Sequence, residues 1–341
     1  MKKVLLAMSG GVDSSVAAII LQNSGYEVIG VTMQLLENES DIKSAKSICD
    51  KLNVKHYILD LRKEFKETVI NDFILSYKSG ITPNPCVLCN KNIKFGKLYE
   101  FSKEINCDYF ATGHYAKVGY DKELEQYVIR KSNAKNKDQT YVLYGIDKNI
   151  IKDLIFPLGE FESKNQIRKI AQENNLEIAN KKDSQEICFI PNNDYSSYIG
   201  KGENGKIIDK CGRILGIHKG FINYTIGQRK GLGISHETPL YVIKIDPIKN
   251  EIIVGEEKDL YTNEVYASNL NFLIQLNSEI KAKIRYSAKE AKAKIYLIND
   301  NKAKIIFEEP QRAVTPGQSI VFYSNDMLVG GGIITTKEWM G

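Results

Sequence analysis

Two groups of residues in this sequence have the types and spacing needed for chemistry on phosphate or sulfur. The first is a glycine-rich segment, Ser9-Gly10-Gly11-Val12-Asp13-Ser14-Ser15. The second consists of three cysteines, Cys86, Cys89 and Cys188, which lie in polar stretches. Glycines let the backbone approach a ligand closely, and serine hydroxyls can donate hydrogen bonds to it. A cysteine thiolate is a nucleophile that can exchange and carry sulfur.

The glycine-rich segment lies where a short buried strand turns into a helix. Residues 4–7 form an apolar run of strand length, and Val12, Val16 and Ile20 recur at helical spacing. The N–H groups and dipole at the helix start favour an anion, and Asp13 would hold the accompanying cation. The spacing excludes GxxxxGK[ST] and GxGxxG. The segment instead resembles the PP-loop of the ATP pyrophosphatases, which implies an enzyme that adenylates a substrate oxygen and releases pyrophosphate.

The composition of the chain is that of an ordinary soluble protein. Its 341 residues are 26% charged and 43% hydrophobic, with a formal net charge of +5, which permits nucleic-acid binding without indicating it. Six cysteines without a secretory signal do not predict a disulfide framework. No apolar run approaches the length needed to cross a bilayer. We therefore expect a cytoplasmic protein with no membrane partner and with cysteines that are mostly thiols.

Alternating strand and helix patterns surround the glycine-rich segment. Strand-length apolar runs lie at residues 28–33, 56–59 and 109–111, and helical spacing lies at 45–52 and 65–77. This alternation predicts a Rossmann-like α/β domain with a parallel sheet covered on both faces. Ligands of such sheets bind beyond the carboxyl ends of the strands. We therefore expect Gly113 and His114, which follow the run at 109–111, to lie beside the glycine-rich segment.

Two further features complete the predicted architecture. Pro83 and Pro85 remove N–H donors and restrict the backbone, so we expect a stiff loop rather than a helix over residues 79–91. From about Gly200 onward, short apolar runs recur between Gly, Asn and Pro turns, which predicts two small all-β, barrel-like domains. The predicted domains are 1–198 for the α/β part, 199–260 for the central β domain and 261–341 for the C-terminal β-barrel.

Additional motifs extend along the chain in one order. They include Pro83-Asn84-Pro85-Cys86-Val87-Leu88-Cys89-Asn90, Thr112-Gly113-His114-Tyr115-Ala116, Lys137-Asp138-Gln139, Lys182-Asp183-Ser184-Gln185, Tyr224-Thr225-Ile226-Gly227-Gln228-Arg229 and Ile284-Arg285-Tyr286. With the glycine-rich segment, they resemble the tRNA 2-thiouridylase family across essentially all of the chain. The resemblance implies an ATP-dependent tRNA sulfurtransferase. It would adenylate the oxygen on carbon 2 of the wobble uridine (anticodon position 34) and replace it with sulfur, giving 2-thiouridine, AMP and pyrophosphate.

The resemblance also implies roles for individual residues. Catalysis is expected from Asp13, Cys89 and Cys188, with Cys89 as the nucleophile and Cys188 as the carrier of a persulfide. The residues implied around ATP and Mg²⁺ are Ala7, Met8, Ser9, Gly10, Gly11, Val12, Asp13, Ser14, Met33 and Gly113. The residues implied to contact the tRNA are Asn84, Pro85 and Cys86 at the target base, and His114, Lys137, Asp138, Gln139, Arg285, Tyr286 and Gln318 elsewhere.

The implied chemistry fits these residue types. Adenylation turns a very poor leaving group into AMP, after which sulfur can attack the carbon. A Cys89–Cys188 disulfide would remain for reductants to clear. Thiol exchange requires a thiolate, and we expect Lys91, Lys181 or Lys182 to lower the relevant pKa. The implied partners are tRNA and a persulfide donor, either a cysteine desulfurase or a sulfur-relay protein, and a monomer is expected.

Three alternatives remain open from the sequence. Cys86, Cys89 and Cys188 could hold an iron–sulfur cluster that carries the sulfide. The chain could be another PP-loop adenylating ligase, in which the cysteines are incidental, or a non-catalytic RNA-binding module. Two positions depart from the family pattern: Cys86 stands where Asp is common, and Glu186 stands where Gly is more usual.

Overall fold

The computed structural model of the chain describes residues 1–180, 187–190, 194–276 and 280–337. Within these ranges the strands form a five-stranded, a four-stranded and an eight-stranded sheet. Lys181, Lys182 and Glu186, together with the rest of the motif at 182–185, lie outside the described residues. In the described part of the chain, no helix combines the length and apolar character needed to span a membrane.

The N-terminal part is built on a parallel sheet. Its strands are β1 (Lys3–Ala7), β2 (Glu27–Gln34), β3 (Lys55–Asp60), β4 (Tyr109–Ala111) and β7 (Leu154–Ile155). Its helices are α1 (Val12–Asn23), α2 (Ser40–Lys51), α3 (residues 62–78), α4 (residues 85–104) and α5 (Lys164–Glu173). The strand order is β3-β2-β1-β4-β7, and every pair is parallel. This confirms the predicted Rossmann-like sheet.

Alternate residues of β1 are buried on opposite faces of this sheet. Leu5 packs in one core with Phe73 of α3, whereas Val4 and Leu6 pack in a second core with Val16 of α1. All five side chains are fully buried. Because helices cover both faces, β1 is a continuous apolar run instead of an alternating one, and its carboxyl end is held rigidly where the glycine-rich segment begins.

The segment predicted to be a stiff loop contains the start of a helix. Helix α4 begins at Pro85, is α-helical over Pro85–Leu88, π-helical over Cys89–Leu98 and α-helical again over Tyr99–Glu104. The expectation that the two prolines exclude a helix is therefore wrong from Pro85 onward. Proline is tolerated at the first helical position because the N–H there has no intrahelical partner and the fixed φ is already helical. Cys86 and Cys89 consequently lie in the first turn of α4.

The second half of the chain is mostly β-structure. The four-stranded sheet has the order β10-β11-β8-β9 and contains β8 (Asn204–Ile208), β9 (Ile214–Lys219), β10 (Tyr241–Asp246) and β11 (Glu251–Gly255), preceded by the short helix α6 (Ser196–Ile199). The eight-stranded sheet contains β12 (Tyr261–Phe272), β13 (Ile280–Lys283), β14 (Ala291–Asn299), β15 (Lys302–Arg312), β16 (Ser319–Ser324) and β17 (Met327–Thr335), with β5 (Ala116–Asp121) and β6 (Gln126–Lys131). Because β12 pairs with both β15 and β17, six strands close into a barrel.

The hairpin of β5 and β6 joins the α/β part to this barrel. Strand β6 pairs with β17 at Arg130 and Met327, and the Arg130 guanidinium lies 2.6 Å from a carboxylate oxygen of Asp326. Nearby, the buried Tyr141 hydroxyl donates a 2.8 Å hydrogen bond to the carbonyl oxygen of Ser319. The two halves therefore share a packed core, and the barrel has a defined position relative to the carboxyl edge of the parallel sheet.

Candidate active site

Gly10 packs the glycine-rich loop tightly against the start of α2. Its φ is +68°, a left-handed conformation that favours glycine. A Cβ at this position would lie 2.8 Å from Ser44 Cβ and 2.9 Å from both the Ala45 nitrogen and the Asp41 carbonyl oxygen. The Ser44 hydroxyl also donates a 3.0 Å hydrogen bond to the Gly10 carbonyl oxygen. Both the conformation and the space at this position thus require glycine.

The serines of the loop bind the loop itself. The Ser14 and Ser15 hydroxyls donate to the Gly11 carbonyl oxygen over 3.2 Å and 2.8 Å, respectively. The Ser9 backbone N–H donates to the Ser14 hydroxyl over 3.2 Å. Helix α1 starts just after Gly11, which has no side chain to cap the helix. The hydroxyls therefore fix the loop, and the N–H groups at the start of α1 suit an anion.

Asp13 is bound by two residues from distant parts of the chain. Its Oδ1 accepts a 2.8 Å hydrogen bond from the Tyr115 hydroxyl, and its Oδ2 lies 2.5 Å from the Lys164 ammonium. The Lys164 side chain is only 11% exposed, whereas that of Asp13 is 33% exposed. Neither Tyr115 nor Lys164 is among the site residues predicted from the sequence. Lysine at the first position of α5 carries no local signal that it contacts the first helix of the chain.

Gly113 lies next to the loop, as predicted, whereas the side chain of His114 packs against Phe95 and Phe156. A Cβ on Gly113 would lie 3.1 Å from the Ser14 nitrogen, so glycine is needed for this approach. The His114 side chain is buried, and its Nδ1 lies 2.7 Å from the Thr112 hydroxyl oxygen. Burial, together with the charge of Lys94, lowers the pKa of His114 well below its usual value. His114 is therefore a neutral, packed imidazole, and its contact with tRNA stays a prediction.

A cavity of about 350 Å³ lies at the carboxyl edge of the parallel sheet. Predicted site residues from separate segments line it: Met8, Ser9, Met33, Pro85, Cys86, Cys89 and Cys188. Thr32, Lys94, Ile187 and Phe189 also line it. The fold thus brings the start of the glycine-rich segment and all three of these cysteines to one cavity, although Cys188 is far from the others in sequence.

The three thiols differ in accessibility. Cys86 and Cys188 are exposed where they face the cavity, and Cys89 is buried, with 8% exposure. Enclosure by the surrounding protein, together with a smaller effect of the nearby Cys89 and Cys86, raises the pKa of the Cys188 thiol to about 12. Burial also raises the pKa of Cys86 and of Cys89. All three are therefore predominantly thiols at neutral pH, contrary to the expectation of lowered values.

The cation that opposes this effect is Lys94. Its charge lowers the pKa of Cys86, Cys89 and Cys188, although less than burial raises them. The residues predicted for this role were Lys91 and two lysines that lie outside the described ranges. In the π-helical segment Cys89–Leu98, backbone hydrogen bonds join residues five apart, so Lys94 lies about one turn after Cys89. α-helical spacing gives no indication of this neighbour.

Several residues predicted to contact tRNA lie between the two halves. The Gln318 amide donates to the Thr82 and Pro83 carbonyl oxygens over 3.0 Å and 3.3 Å, respectively. The Tyr286 hydroxyl donates a 3.1 Å hydrogen bond to the Asp138 carbonyl oxygen. Other contacts join Arg285 to the carbonyl oxygen of Ala313, and the Tyr115 N–H to Gln139 Oε1 over 2.9 Å. These residues do not line the cysteine cavity. Gln318 and Tyr286 connect the barrel to the segments beside it, whereas the contact of Arg285 lies within the β-rich half and that of Gln139 within the α/β part.

A second, more open cavity of about 840 Å³ lies where the hairpin meets the barrel. Lysines and polar groups line it, including Lys117, Lys131, Lys135, Asp138, Lys283 and Tyr286. Tyr286 is 47% exposed, and the Lys283 ammonium lies 5.4 Å from the centre of its ring. Exposed aromatic and basic groups in this arrangement are suited to an unstacked, single-stranded segment of nucleic acid.

Comparisons with known proteins cover nearly the whole chain. Three family models match in succession: a tRNA methyl transferase HUP domain over residues 2–192, a tRNA methyl transferase PRC-barrel domain over 194–256 and an aminomethyltransferase beta-barrel domain over 262–334. The tRNA-specific 2-thiouridylase MnmA of Caldicellulosiruptor saccharolyticus is 47% identical, and the alignment covers 98% of each chain. The protein of the same name from Clostridioides difficile is 46% identical, also with 98% of each chain covered. The chain belongs to the tRNA-specific 2-thiouridylase family.

Membership of the 2-thiouridylase family requires a nucleotide site, and the loop fits one. Gly10 and Gly113 leave no room for a side chain, and the start of α1 presents N–H groups beside the carboxylate of Asp13. A triphosphate with its cation would find anion donors and a cation ligand together there. These observations are consistent with the predicted roles of residues 7–14, which stay predictions for each residue.

The cysteine arrangement does not support the iron–sulfur alternative for this 2-thiouridylase family member. Among the described residues, which include Cys86, Cys89 and Cys188, no three His, Cys, Asp or Glu side chains are grouped so that they could hold a metal ion. The three thiols line the same cavity without forming a ligand set. Thiol chemistry is therefore the better description of this site.

Proposed function

We propose that this chain is an ATP-dependent tRNA sulfurtransferase that converts the wobble uridine, at anticodon position 34, to 2-thiouridine. The observation that carries the proposal is that one cavity is lined by Ser9, the first residue of the glycine-rich segment, by the preceding Met8, and by Cys86, Cys89 and Cys188. Exchange of oxygen for sulfur requires activation of the oxygen and delivery of sulfur at the same carbon. A site that joins a phosphate-binding loop to thiols meets both requirements.

The loop residues would serve the activation step. The oxygen on carbon 2 of uridine is a very poor leaving group, and its adenylation converts it into part of AMP. Residues 7–14, Met33 and Gly113 would bind ATP, and Asp13 would hold Mg²⁺, which when bound neutralises phosphate charge. Tyr115 orients the Asp13 carboxylate, and Lys164 places a second positive charge beside it. Both features suit a substrate that carries several negative charges.

The cysteines would serve the sulfur step. A persulfide on Cys188 attacks the activated carbon, and AMP leaves with the bonding electron pair. Cys89 then attacks the Cys188 sulfur, so that the transferred sulfur stays on the uridine and a Cys89–Cys188 disulfide forms. The exposure of Cys188 allows a persulfide donor, a cysteine desulfurase or a sulfur-relay protein, to reach it. This cycle consumes the persulfide and produces one disulfide that a reductant must clear.

The tRNA would lie across both halves of the chain. Asn84, Pro85 and Cys86 begin or precede α4 beside the cysteine cavity, where they would form the wall for a flipped base. The lysine-lined cavity at the hairpin and Lys137, Asp138, Gln139, Arg285 and Tyr286 would contact the rest of the anticodon arm. We expect the enzyme to act as a monomer in the cytoplasm, where tRNA is modified.

The proposal is tested by incubation of the protein with unmodified tRNA, ATP, Mg²⁺ and a persulfide source, followed by mass analysis of the nucleosides. We expect 2-thiouridine and one AMP for each modified base. Cys188→Ser should still form AMP with tRNA but make no thiouridine, and Cys89→Ser should accept a persulfide on Cys188 yet fail to turn over. Full thiolation by Cys188→Ser would contradict the role proposed for Cys188 in the sulfur step.

A further inference from the structure

The sulfur step described above uses two of the three cysteines that line the cavity. Cys86 is the third; it lies three residues before Cys89 in the first turn of α4. Cys86 and Cys188 are exposed toward the cavity, whereas Cys89 is buried. All three thiols line the same cavity, so the proposal concerns cysteines that share one space.

The spacing of Cys86 and Cys89 permits a disulfide within α4. Residues three apart on a helix have Cβ atoms about 5–6 Å apart. A disulfide needs Cα atoms about 4.4–6.8 Å apart and somewhat closer Cβ atoms, so a small adjustment of the first turn suffices. Burial raises the pKa of Cys86, and two features oppose this rise: its position in the first turn of a helix and the charge of the nearby Lys94.

We propose that Cys86 regenerates Cys188 by thiol–disulfide exchange, an inference that rests on the proposed sulfurtransferase function. After sulfur transfer, the Cys86 thiolate attacks the Cys89 sulfur of the Cys89–Cys188 disulfide. The Cys89–Cys188 bond breaks, its electron pair leaves on Cys188, which takes up a proton, and a Cys86–Cys89 disulfide forms. The exchange itself involves no net oxidation. A dithiol reductant then supplies two electrons by attacking the exposed Cys86 sulfur.

This exchange would separate the reduction of the disulfide from the loading of the next persulfide, two processes that otherwise both take place at Cys188. With only two cysteines, Cys188 stays in the Cys89–Cys188 disulfide until the reductant has acted. Because Cys89 is buried and Cys188 is exposed, the reductant would attack the Cys188 sulfur and so occupy Cys188 itself. With Cys86 present, Cys188 becomes a free thiol at once and can accept the next persulfide. The reductant meanwhile attacks the Cys86 sulfur of the Cys86–Cys89 disulfide, in the first turn of α4.

The test follows one round of catalysis by disulfide mapping. Protein with a persulfide preloaded on Cys188 is mixed with tRNA, ATP and Mg²⁺ without reductant, quenched with an alkylating agent, and digested for mass spectrometry under non-reducing conditions. For each thiouridine formed, we expect a Cys86–Cys89 disulfide and an alkylated Cys188. Cys86→Ser protein that has formed thiouridine should instead retain the Cys89–Cys188 disulfide. Cys211→Ser, which removes an exposed cysteine of the β-rich half, is the matched control and should behave as the unmodified chain does.

A second measurement compares the first turnover with later ones. With a dithiol reductant and persulfide donor present, the ratio of steady-state to first-turnover rate should fall about tenfold in Cys86→Ser and stay unchanged in Cys211→Ser. An alkylated Cys86 after thiouridine formation in the unmodified chain would overturn the proposal. Absence of thiouridine from the first turnover would instead contradict the sulfurtransferase function, so the two failures are distinguishable.

Discussion

The Tyr115 hydroxyl donates a 2.8 Å hydrogen bond to Asp13, across 102 residues of sequence. The backbone of the same tyrosine is bound on both sides to Gln139: its N–H donates to Gln139 Oε1 and its carbonyl oxygen accepts from the Gln139 N–H, each over 2.9 Å. Gln139 belongs to the segment predicted to contact tRNA. Tyr115, which is 2% exposed, therefore joins the glycine-rich segment to the segment predicted to contact tRNA.

Tyr115→Phe should slow adenylation while the fold is retained. The substitution removes one hydrogen bond to a carboxylate, which contributes about 1.5–3 kcal/mol, or roughly tenfold to a hundredfold in rate. We expect a higher KM for Mg·ATP and slower AMP formation, measured with saturating tRNA. Tyr109→Phe, which removes the exposed hydroxyl that binds Lys2, is the matched control. Equal AMP formation by both variants would show that Asp13 does not depend on Tyr115.

Gln318→Ala should impair catalysis more than tRNA binding. Its amide holds the Thr82 and Pro83 carbonyl oxygens and so positions the segment that leads into α4. Loss of two hydrogen bonds of about 1 kcal/mol each should lower kcat for thiolation by up to about thirtyfold. Gln311→Ala, whose amide binds only the nearby Glu309 carbonyl oxygen among the described contacts, is the control. A large loss of tRNA affinity with unchanged kcat would instead indicate that Gln318 contacts the tRNA directly.

Sulfur transfer should become faster with rising pH, and Lys94→Gln should shift this dependence upward. Burial raises the pKa of Cys86, Cys89 and Cys188, so the reactive thiolate fraction grows as the pH rises toward those values. The charge of Lys94 lowers all three pKa values, and its removal should therefore raise them. We expect the single-turnover rate at about pH 8 to fall roughly threefold to tenfold, with recovery at higher pH.

The control for this experiment is Lys97→Gln. Lys97 lies on the same helix but is exposed and paired with Glu100 at 2.8 Å, so its removal changes the net charge equally without affecting the thiols. A pH profile in Lys94→Gln that matches that of Lys97→Gln would contradict the assigned role of Lys94. Adenylation, measured as AMP formation before sulfur is added, separates this effect from one on nucleotide binding.

The affinity for tRNA should fall with salt, and Lys137→Ala should reduce that dependence. Each lysine–phosphate contact releases about one counterion, so its loss lowers the slope of log affinity against log salt by about 1. Lys169→Ala is the control, because Lys169 lies on α5 in an exposed pair with Glu173. Filter binding over a salt series measures both slopes. An unchanged slope in Lys137→Ala would remove this residue from the set of phosphate contacts.

The sequence by itself determined the local architecture and the kind of chemistry. Apolar periodicity predicts the strands of the parallel sheet, because β1 and its neighbours are buried on both faces and read as continuous apolar runs. The glycine-rich segment is recognisable because both its conformation and its close packing exclude other residues at Gly10. Motif order along the chain led to the family that the full-length relatives then established. These features depend on neighbouring residues and therefore appear in short stretches of sequence.

The tertiary structure decided which residues act on one another. Lys164 reaches Asp13 across 151 residues, and Gln318 reaches Thr82 across 236, contacts that no local pattern indicates. The start of α4 at Pro85 and its π-helical winding place Lys94, instead of Lys91, beside the thiols. Burial raised the thiol pKa values that the sequence analysis expected to be low, because desolvation depends on everything packed around a group and outweighs one nearby charge.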